Sequence, residues 1–127
     1  MSTRSAVIVK IGDTYNGIYC HYDGYTEGVG KTLKENFNNE AQAKEIVDLG
    51  DCSIIDLCVR IKPSSDSSHS FEKPEDGTII AYHRDRGEEW ETVKPKTGST
   101  WQEVADKIGH NGYVYVWEND QWNFNEC

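Results

Sequence analysis

Apolar and β-branched residues dominate residues 5–10, and a second such run, residues 17–22, follows a turn rich in Gly, Asp and Asn. Two runs of this kind around a short polar turn predict a β-hairpin. Because successive side chains of a strand point to opposite faces, we expect Cys20 to face the core and His21 to point away from it. Asp23 lies on the side of His21 if the strand continues that far.

Helical spacing replaces the alternation after this hairpin. Thr26 stands where it can cap a helix that begins near Glu27. Val29, Leu33 and Phe37 recur at four-residue intervals, which is the spacing of a buried helical stripe. The pattern predicts a short amphipathic helix directly after the hairpin.

A second helix follows after a tight turn. Asn39 and Gln42 form a capping pair at its start, and Gly50 is the residue that ends it. Its apolar side is formed by Ala43, Ile46 and Val47. Residues 53–59 fit either a turn of helix or a strand.

The second half of the chain begins with a polar loop, residues 62–77, which contains His69. Residues 78–83 return to strand character, and Ser99 or Thr100 can cap a last helix. The last two strand-like runs are residues 113–117 and 121–124. They flank an Asn-Asp turn, and the pattern predicts a closing hairpin. We therefore expect a single α+β domain over residues 1–127, with an antiparallel sheet and helices mainly on one face.

Net charge narrows the classes of partner. The chain of 127 residues has a formal net charge of −9. Residues 1–63 contain seven Lys and Arg against nine Asp and Glu, and residues 64–127 contain six against thirteen. Such acidity repels phosphate backbones and attracts basic surfaces, so it disfavours direct, non-specific nucleic-acid binding and favours a basic protein groove as the partner. The simpler alternative is that the acidity only keeps a small protein soluble.

The compartment follows from what the chain lacks. No run approaches the roughly 18 apolar residues of a membrane span, and the first residues do not resemble a secretory signal, so we expect a cytoplasmic protein. Cys20, Cys52, Cys58 and Cys127 show no CxxC spacing. In a reducing compartment they are expected to be free thiols, either in the core or as metal ligands.

The sequence GVGKT at residues 28–32 resembles part of a phosphate-binding loop. That loop needs four residues between an upstream glycine and the Gly-Lys-Thr, but Tyr25 occupies the place of this glycine and Gly24 lies one residue too far upstream. We therefore interpret the glycines as residues that permit a tight turn from strand to helix.

Two further groups of residues carry candidate chemistry. His21 and Asp23, with His69 and either His83 or Asp85, are candidate metal ligands, although no tight ligand spacing supports them. Residues 84–88 read Arg-Asp-Arg-Gly-Glu, which either binds a phosphate or carboxylate or ties a loop down through internal ion pairs.

Several motifs together resemble a family of small phage and prophage proteins. They are STRS, YCHxDGY, EGVGxTL, LGDxS, a histidine before a phenylalanine, and RDRGE, found here at residues 2–5, 19–25, 27–33, 49–53, 69–71 and 84–88. The resemblance implies a phage origin and inhibition of host defence, and some members are similar to zinc-containing anti-CRISPR proteins that act on the type II effector nuclease.

The resemblance also implies a zinc-ligand set, because the family motifs fall on His21, Asp23, His69 and Asp85. Cys52 and His83 depart from the motifs, so each is either an extra ligand or unrelated to the metal. A structural zinc of this kind would pin the polar loop to the first hairpin.

Two functional hypotheses follow. The first is a phage inhibitor without enzymatic activity, whose acidic surface docks on a basic region of a type II CRISPR effector nuclease and blocks DNA loading. The alternative is a small metal-dependent hydrolase acting on a nucleotide or phosphate ester. In that case His21 and His69 would bind the metal, Arg84 and Arg86 the phosphate, and Glu88 would be the general base.

Overall fold

A mixed β-sheet lies at the centre of the molecule. The computed structural model describes residues 4–22, 26–55, 58–61, 70–73, 75, 77–109 and 113–126, with the side chains of 125 and 126 left aside. Within these ranges the chain forms the strands β1 Ser5–Ile11, β2 Thr14–Cys20, β3 Cys52–Ile54, β4 Ile80–Ala81, β5 Lys96–Gly98, β6 Tyr113–Glu118 and β7 Gln121–Glu126.

Helical segments connect the strands. A π-helical turn over Thr26–Gly30 continues directly into the first α-helix. The α-helices are α1 Lys31–Asn36, α2 Glu40–Asp48, α3 Tyr82–Arg86, α4 Trp90–Val93 and α5 Trp101–Ile108. In the part of the chain that the structure describes, no helix is long and apolar enough to cross a membrane.

The strand order confirms the α+β class and corrects the prediction of an antiparallel sheet. The order is β4-β3-β2-β1-β6-β7, with β5 also paired to β2. β1 pairs with β6 in parallel, and so does β2 with β3, whereas the other pairs are antiparallel. The sheet is mixed because the chain crosses over through helices before β3 and β6 are added, and a hairpin signal in the sequence reports only neighbouring strands.

Both faces of the sheet are covered. Val7 and Val9 of β1 pack with the buried residues of the π-helical turn, α1 and α2, while Ala6 and Ile8 pack with α5 on the other face. This explains why β1 is apolar without alternation, as expected of a strand buried on two sides. The larger core cluster lies under α1 and α2, and α5 supplies the smaller one.

Local signals in the sequence place several elements correctly. The predicted stripe of Val29, Leu33 and Phe37 is fully buried. Asn39 Oδ1 accepts a hydrogen bond from the backbone N–H of Gln42 at 2.8 Å, which confirms the predicted cap of α2. The cap of α5 is also confirmed, with Thr100 as the residue that provides it.

The strand predicted for residues 78–83 is wrong in its second half. Only Ile80–Ala81 is strand, and α3 begins at Tyr82. The cause is Asp85, whose Oδ2 accepts a hydrogen bond from the N–H of Ala81 at 2.8 Å and so stabilises the first turn of the helix. The short elements β5 and α4 were not predicted.

Candidate functional site

Two of the predicted site residues, His21 and Asp85, follow β2 and β4, the two strands that flank β3. Cys20, Cys52 and Ala81 are side by side on β2, β3 and β4. Next to this row, the N–H of His21 donates a hydrogen bond to the carbonyl of Cys52 at 3.1 Å. The N–H of Tyr82 donates to the carbonyl of Asp51, also at 3.1 Å. His21 and Tyr82 therefore each lie one residue from the Cys20, Cys52 and Ala81 row, His21 on the side of Ser53 and Tyr82 on the side of Asp51.

His21 lies among phenol rings. Its Nδ1 shares a 2.6 Å hydrogen bond with the hydroxyl of Tyr19, and its ring meets that of Tyr22 edge-on at 4.5 Å. Tyr19 also bonds the side chain of Arg4, and burial raises the pKa of its phenol. This arrangement fixes the His21 ring through Nδ1 and does not use Nε2, the nitrogen that is left to bind a metal or another partner.

Asp85, a second predicted ligand, is held by protein groups. Its carboxylate accepts hydrogen bonds from Arg84 Nε to Oδ1 at 2.9 Å and from Arg84 Nη2 to Oδ2 at 3.0 Å. The side chain is 3% exposed. A carboxylate held by a guanidinium and by the N–H of Ala81 serves the structure of α3, and a metal could reach it only by displacing these donors.

Arg84 anchors two further segments. Its Nη1 donates to the carbonyl of Ile61 at 2.6 Å, and its Nη2 donates to the carbonyl of Ile79. The guanidinium is thus used on the protein itself, which supports the loop-tying interpretation of the charged run at residues 84–88 for this arginine. Arg86 differs, because it is 52% exposed and pairs with Glu88 at 3.2 Å.

The predicted zinc set stays a prediction. Asp23 and His69 lie outside the described residues, and within the described ranges no three His, Cys, Asp or Glu side chains converge on a point where they could hold a metal. Of the two predicted ligands that are described, His21 fits a metal through Nε2, whereas Asp85 does not fit without losing its hydrogen bonds.

The cysteines at this end of the sheet are core thiols. Cys20 and Cys52 are fully buried, and the Sγ of Cys52 donates to the carbonyl of Gly50 at 3.3 Å. Burial raises the pKa of Cys20 to about 12 and that of Cys52 well above its ordinary value. Because zinc binds the thiolate, this burial disfavours both residues as ligands.

His83, the other extra candidate, connects α3 to α4. Its Nδ1 donates to the carbonyl of Glu88 at 2.8 Å, and its ring meets that of Trp90 edge-on at 5.1 Å. The imidazole is exposed on its remaining side. His83 therefore helps to position Trp90.

The glycines of the GVGKT motif allow close packing. Gly28 and Gly30 are buried in the π-helical turn, and a Cβ added to Gly30 would lie 2.9 Å from the ring of Tyr115. The residue at position 30 must therefore be small for the turn to pack on β6. This contact supports the interpretation of the motif as a turn.

Sequence reasoning missed an exposed tryptophan within an acidic segment. Trp90 is 37% exposed, and Glu88, Glu89 and Glu91 surround it in the sequence. Its inner edge packs near Gly50, where an added Cβ would lie 3.1 Å from the indole. We call these four residues the Trp90 corner. The Glu-Glu-Trp-Glu run was the signal that could have revealed it.

No family model, no curated protein and no solved structure matches the chain. The resemblance to small phage proteins therefore rests on the sequence motifs alone. It stays a prediction.

Proposed function

We propose that the protein is a phage-encoded, non-enzymatic inhibitor of host defence that acts in the cytoplasm of the infected bacterium. In this proposal it binds a basic surface of a nucleic-acid-processing nuclease, the type II CRISPR effector by the motif resemblance, and blocks DNA loading. The observation that supports the proposal is the Trp90 corner, where an exposed tryptophan follows two glutamates in the sequence and precedes a third.

An exposed tryptophan with glutamates as its sequence neighbours has the composition of a docking site for a basic surface. Tryptophan is enriched among the few residues that dominate binding energy at interfaces. Around it, Glu91 pairs with Lys94 at 2.7 Å and Glu88 pairs with Arg86, but Glu89 is exposed and adds to the negative field. Carboxylates of this kind guide association with a basic groove and make it sensitive to salt.

The Trp90 corner also fits the wider charge pattern. It lies in residues 64–127, which contain six Lys and Arg against thirteen Asp and Glu. A nuclease groove that binds nucleic acid is lined by basic side chains, so an acidic protein can occupy the place of the phosphate backbone. Inhibition by occupancy needs no catalytic group on the inhibitor.

The proposal includes a structural zinc. His21 would contribute Nε2 and, with Asp23 and His69, would connect the first hairpin to the polar segment at residues 62–77. The described contact that supports it is the Tyr19 hydroxyl on His21 Nδ1, a second contact of the kind that orients metal-bound imidazoles.

The test is a titration of the guide-loaded type II nuclease with the protein, with binding of fluorescently labelled target DNA as the readout. We expect loss of DNA binding that saturates at about one inhibitor per nuclease and weakens as salt is raised. Trp90→Ala should weaken inhibition by about tenfold or more, the effect of removing an interface anchor.

A matched pair of charge variants separates the Trp90 corner from net charge. Glu89→Gln with Glu91→Gln should weaken inhibition, whereas Asp106→Asn with Asp120→Asn, the same charge change elsewhere on the exposed surface, should leave it within about twofold. Equal effects of the two pairs would refute the Trp90 corner as the docking site. Turnover of a nucleotide or phosphate ester by the protein would instead support the hydrolase alternative.

A further inference from the structure

Among the residues that the structure describes, β7 forms one edge of the sheet. β7 is the last strand in the order, and among the described strands it pairs only with β6. The turn between them has two residues, Asn119 and Asp120, with φ of 57° and 60°. In such a hairpin the residues that flank the turn form a hydrogen-bonded pair, and bonded and non-bonded pairs then alternate.

This alternation shows which backbone groups point outward. Gln121 and Asn123 are opposite Glu118 and Val116 in bonded pairs, so their N–H and C=O groups face β6. The N–H and C=O groups of Trp122, Phe124 and Glu126 therefore point away from the sheet. An added strand would form its hydrogen bonds with these three residues.

An apolar groove lies beside the same edge. Its volume is about 390 Å³, and it runs between the π-helical turn with α1 and the face of β6 and β7. Tyr115, Trp122 and Phe124 form its apolar wall, and Phe124 is 41% exposed. Directly opposed residues of paired strands lie on the same face of a sheet. Every second side chain of an added strand would therefore lie on the face of Trp122 and Phe124 and enter this groove.

β7 lacks three of the features that protect edge strands against pairing. Natural edge strands are commonly blocked by lysine, proline or a bulge. β7 contains neither lysine nor proline, and its pairing with β6 is regular over all six residues.

We propose that the β7 edge binds an extended, basic segment of a partner protein as an additional β-strand. The segment's backbone would pair with Trp122, Phe124 and Glu126, and its alternate apolar side chains would fill the groove. The inference goes beyond the proposed function, because it depends on the geometry of β7 and not on the Trp90 corner or on the identity of the nuclease.

Charge selects a basic segment over a second copy of this chain. Each copy has a net charge of −9, so two copies repel one another, whereas a basic segment is attracted. Within the groove the charges of Glu27 and Glu35 balance those of Lys31 and Lys34. The net negative charge of the rest of the protein therefore determines which charge the partner should have.

Packing supports the same choice. In a second copy, Phe124 would approach along the edge, but its ring already stacks on Tyr113 and Tyr115 of its own chain, with centroids at 5.5 and 5.7 Å. It could enter its neighbour's groove only by leaving these rings. A partner segment with a free apolar side chain has no such cost.

The test uses the nine-residue peptide Lys-Val-Lys-Phe-Lys-Ile-Lys-Val-Lys and amide hydrogen exchange of the ¹⁵N-labelled protein. We expect the amides of Trp122, Phe124 and Glu126 to exchange quickly without the peptide and to be slowed by about tenfold or more when it is saturating. The same peptide N-methylated at every second residue loses the donors of one edge and should protect none of them.

Two lysine substitutions on β7 localise the binding. Phe124→Lys should lower the affinity for the peptide by about tenfold. Gln121→Lys adds the same charge on the other face of the strand and should change this affinity by less than about twofold. Circular dichroism checks that both variants fold.

Three outcomes would overturn the proposal. They are the absence of protection at about 1 mM peptide, equal binding of the N-methylated peptide, and a dimer in sedimentation whose β7 amides are protected without peptide. The last would identify a second copy as the occupant. Loss of nuclease inhibition in Trp90→Ala, with peptide binding intact, would separate this site from the proposed function.

Discussion

Replacing Arg84 by alanine tests whether its guanidinium holds the site end of the sheet together. The side chain is 25% exposed, binds the Asp85 carboxylate through two hydrogen bonds and reaches the carbonyls of Ile61 and Ile79. Its loss would leave an almost completely buried carboxylate without its cation, and two carbonyls without this donor.

The expected cost follows from these partners. Removing one member of a buried ion pair typically destabilises a protein by about 3–5 kcal/mol. Because Arg84 keeps some solvent contact, we expect the lower end, about 3 kcal/mol, for Arg84→Ala. For a domain of this size that corresponds to a fall in Tm of about 10–15 °C.

Urea unfolding followed by tryptophan fluorescence measures the change, and a neighbouring arginine provides the control. Arg86 lies on the same helix, is 52% exposed, pairs with the half-exposed Glu88 and stacks over Phe71 at 5.0 Å. Arg86→Ala should therefore cost no more than about 1 kcal/mol. If the two variants are equally stable, the internal contacts of Arg84 contribute nothing beyond an exposed ion pair and the reasoning is refuted.

Two further predictions concern thiols and metal. Burial raises the pKa of Cys20 from 9.0 to about 12, so its contribution to stability is present below pH 9 and is lost as pH rises toward 12. Between these values the free energy of unfolding should fall by about 1.4 kcal/mol per pH unit more in the native protein than in Cys20→Ala, as measured by urea unfolding; equal slopes would contradict it. Elemental analysis should find about one zinc per chain. His21→Ala and His69→Ala should lower both the zinc content and the Tm, whereas the control Glu40→Gln should change neither. A metal-free protein whose Tm is unchanged by chelator would refute the proposed zinc site.

The sequence predicted best where a signal is local. The first hairpin, the buried stripe of Val29, Leu33 and Phe37, and the cap at Asn39 each depend on residues within a few positions of one another. The closing hairpin is also confirmed, because its Asn-Asp turn adopts the positive φ values that this turn requires.

Long-range features were beyond the sequence patterns. The parallel pairing of β1 with β6 joins residues about a hundred positions apart, and nothing in either strand specifies the other. The short β4 gave way to α3 because Asp85 bonds Ala81, a contact that residue types alone do not indicate.

The predicted metal site stays a prediction. His21 and the start of α3 each lie one residue from the row formed by Cys20, Cys52 and Ala81. However, the sequence could not show that Arg84 donates hydrogen bonds to Asp85 and to two carbonyls. Such contacts depend on where β3 and β4 place the backbone. Trp90 was missed because exposure depends on the packing of α3 and α4 around it.

The parallel pairing of β1 with β6 sets the order in which the chain can fold. In the main sheet order β1 is the fourth strand from the β4 end and the third from the β7 end, between β2 and β6, yet β6 begins only at Tyr113. During synthesis β1 can form its hairpin early, but its other edge stays unpaired by β6 until residues 113–118 have left the ribosome. A product truncated before residue 113 would therefore expose an apolar strand edge.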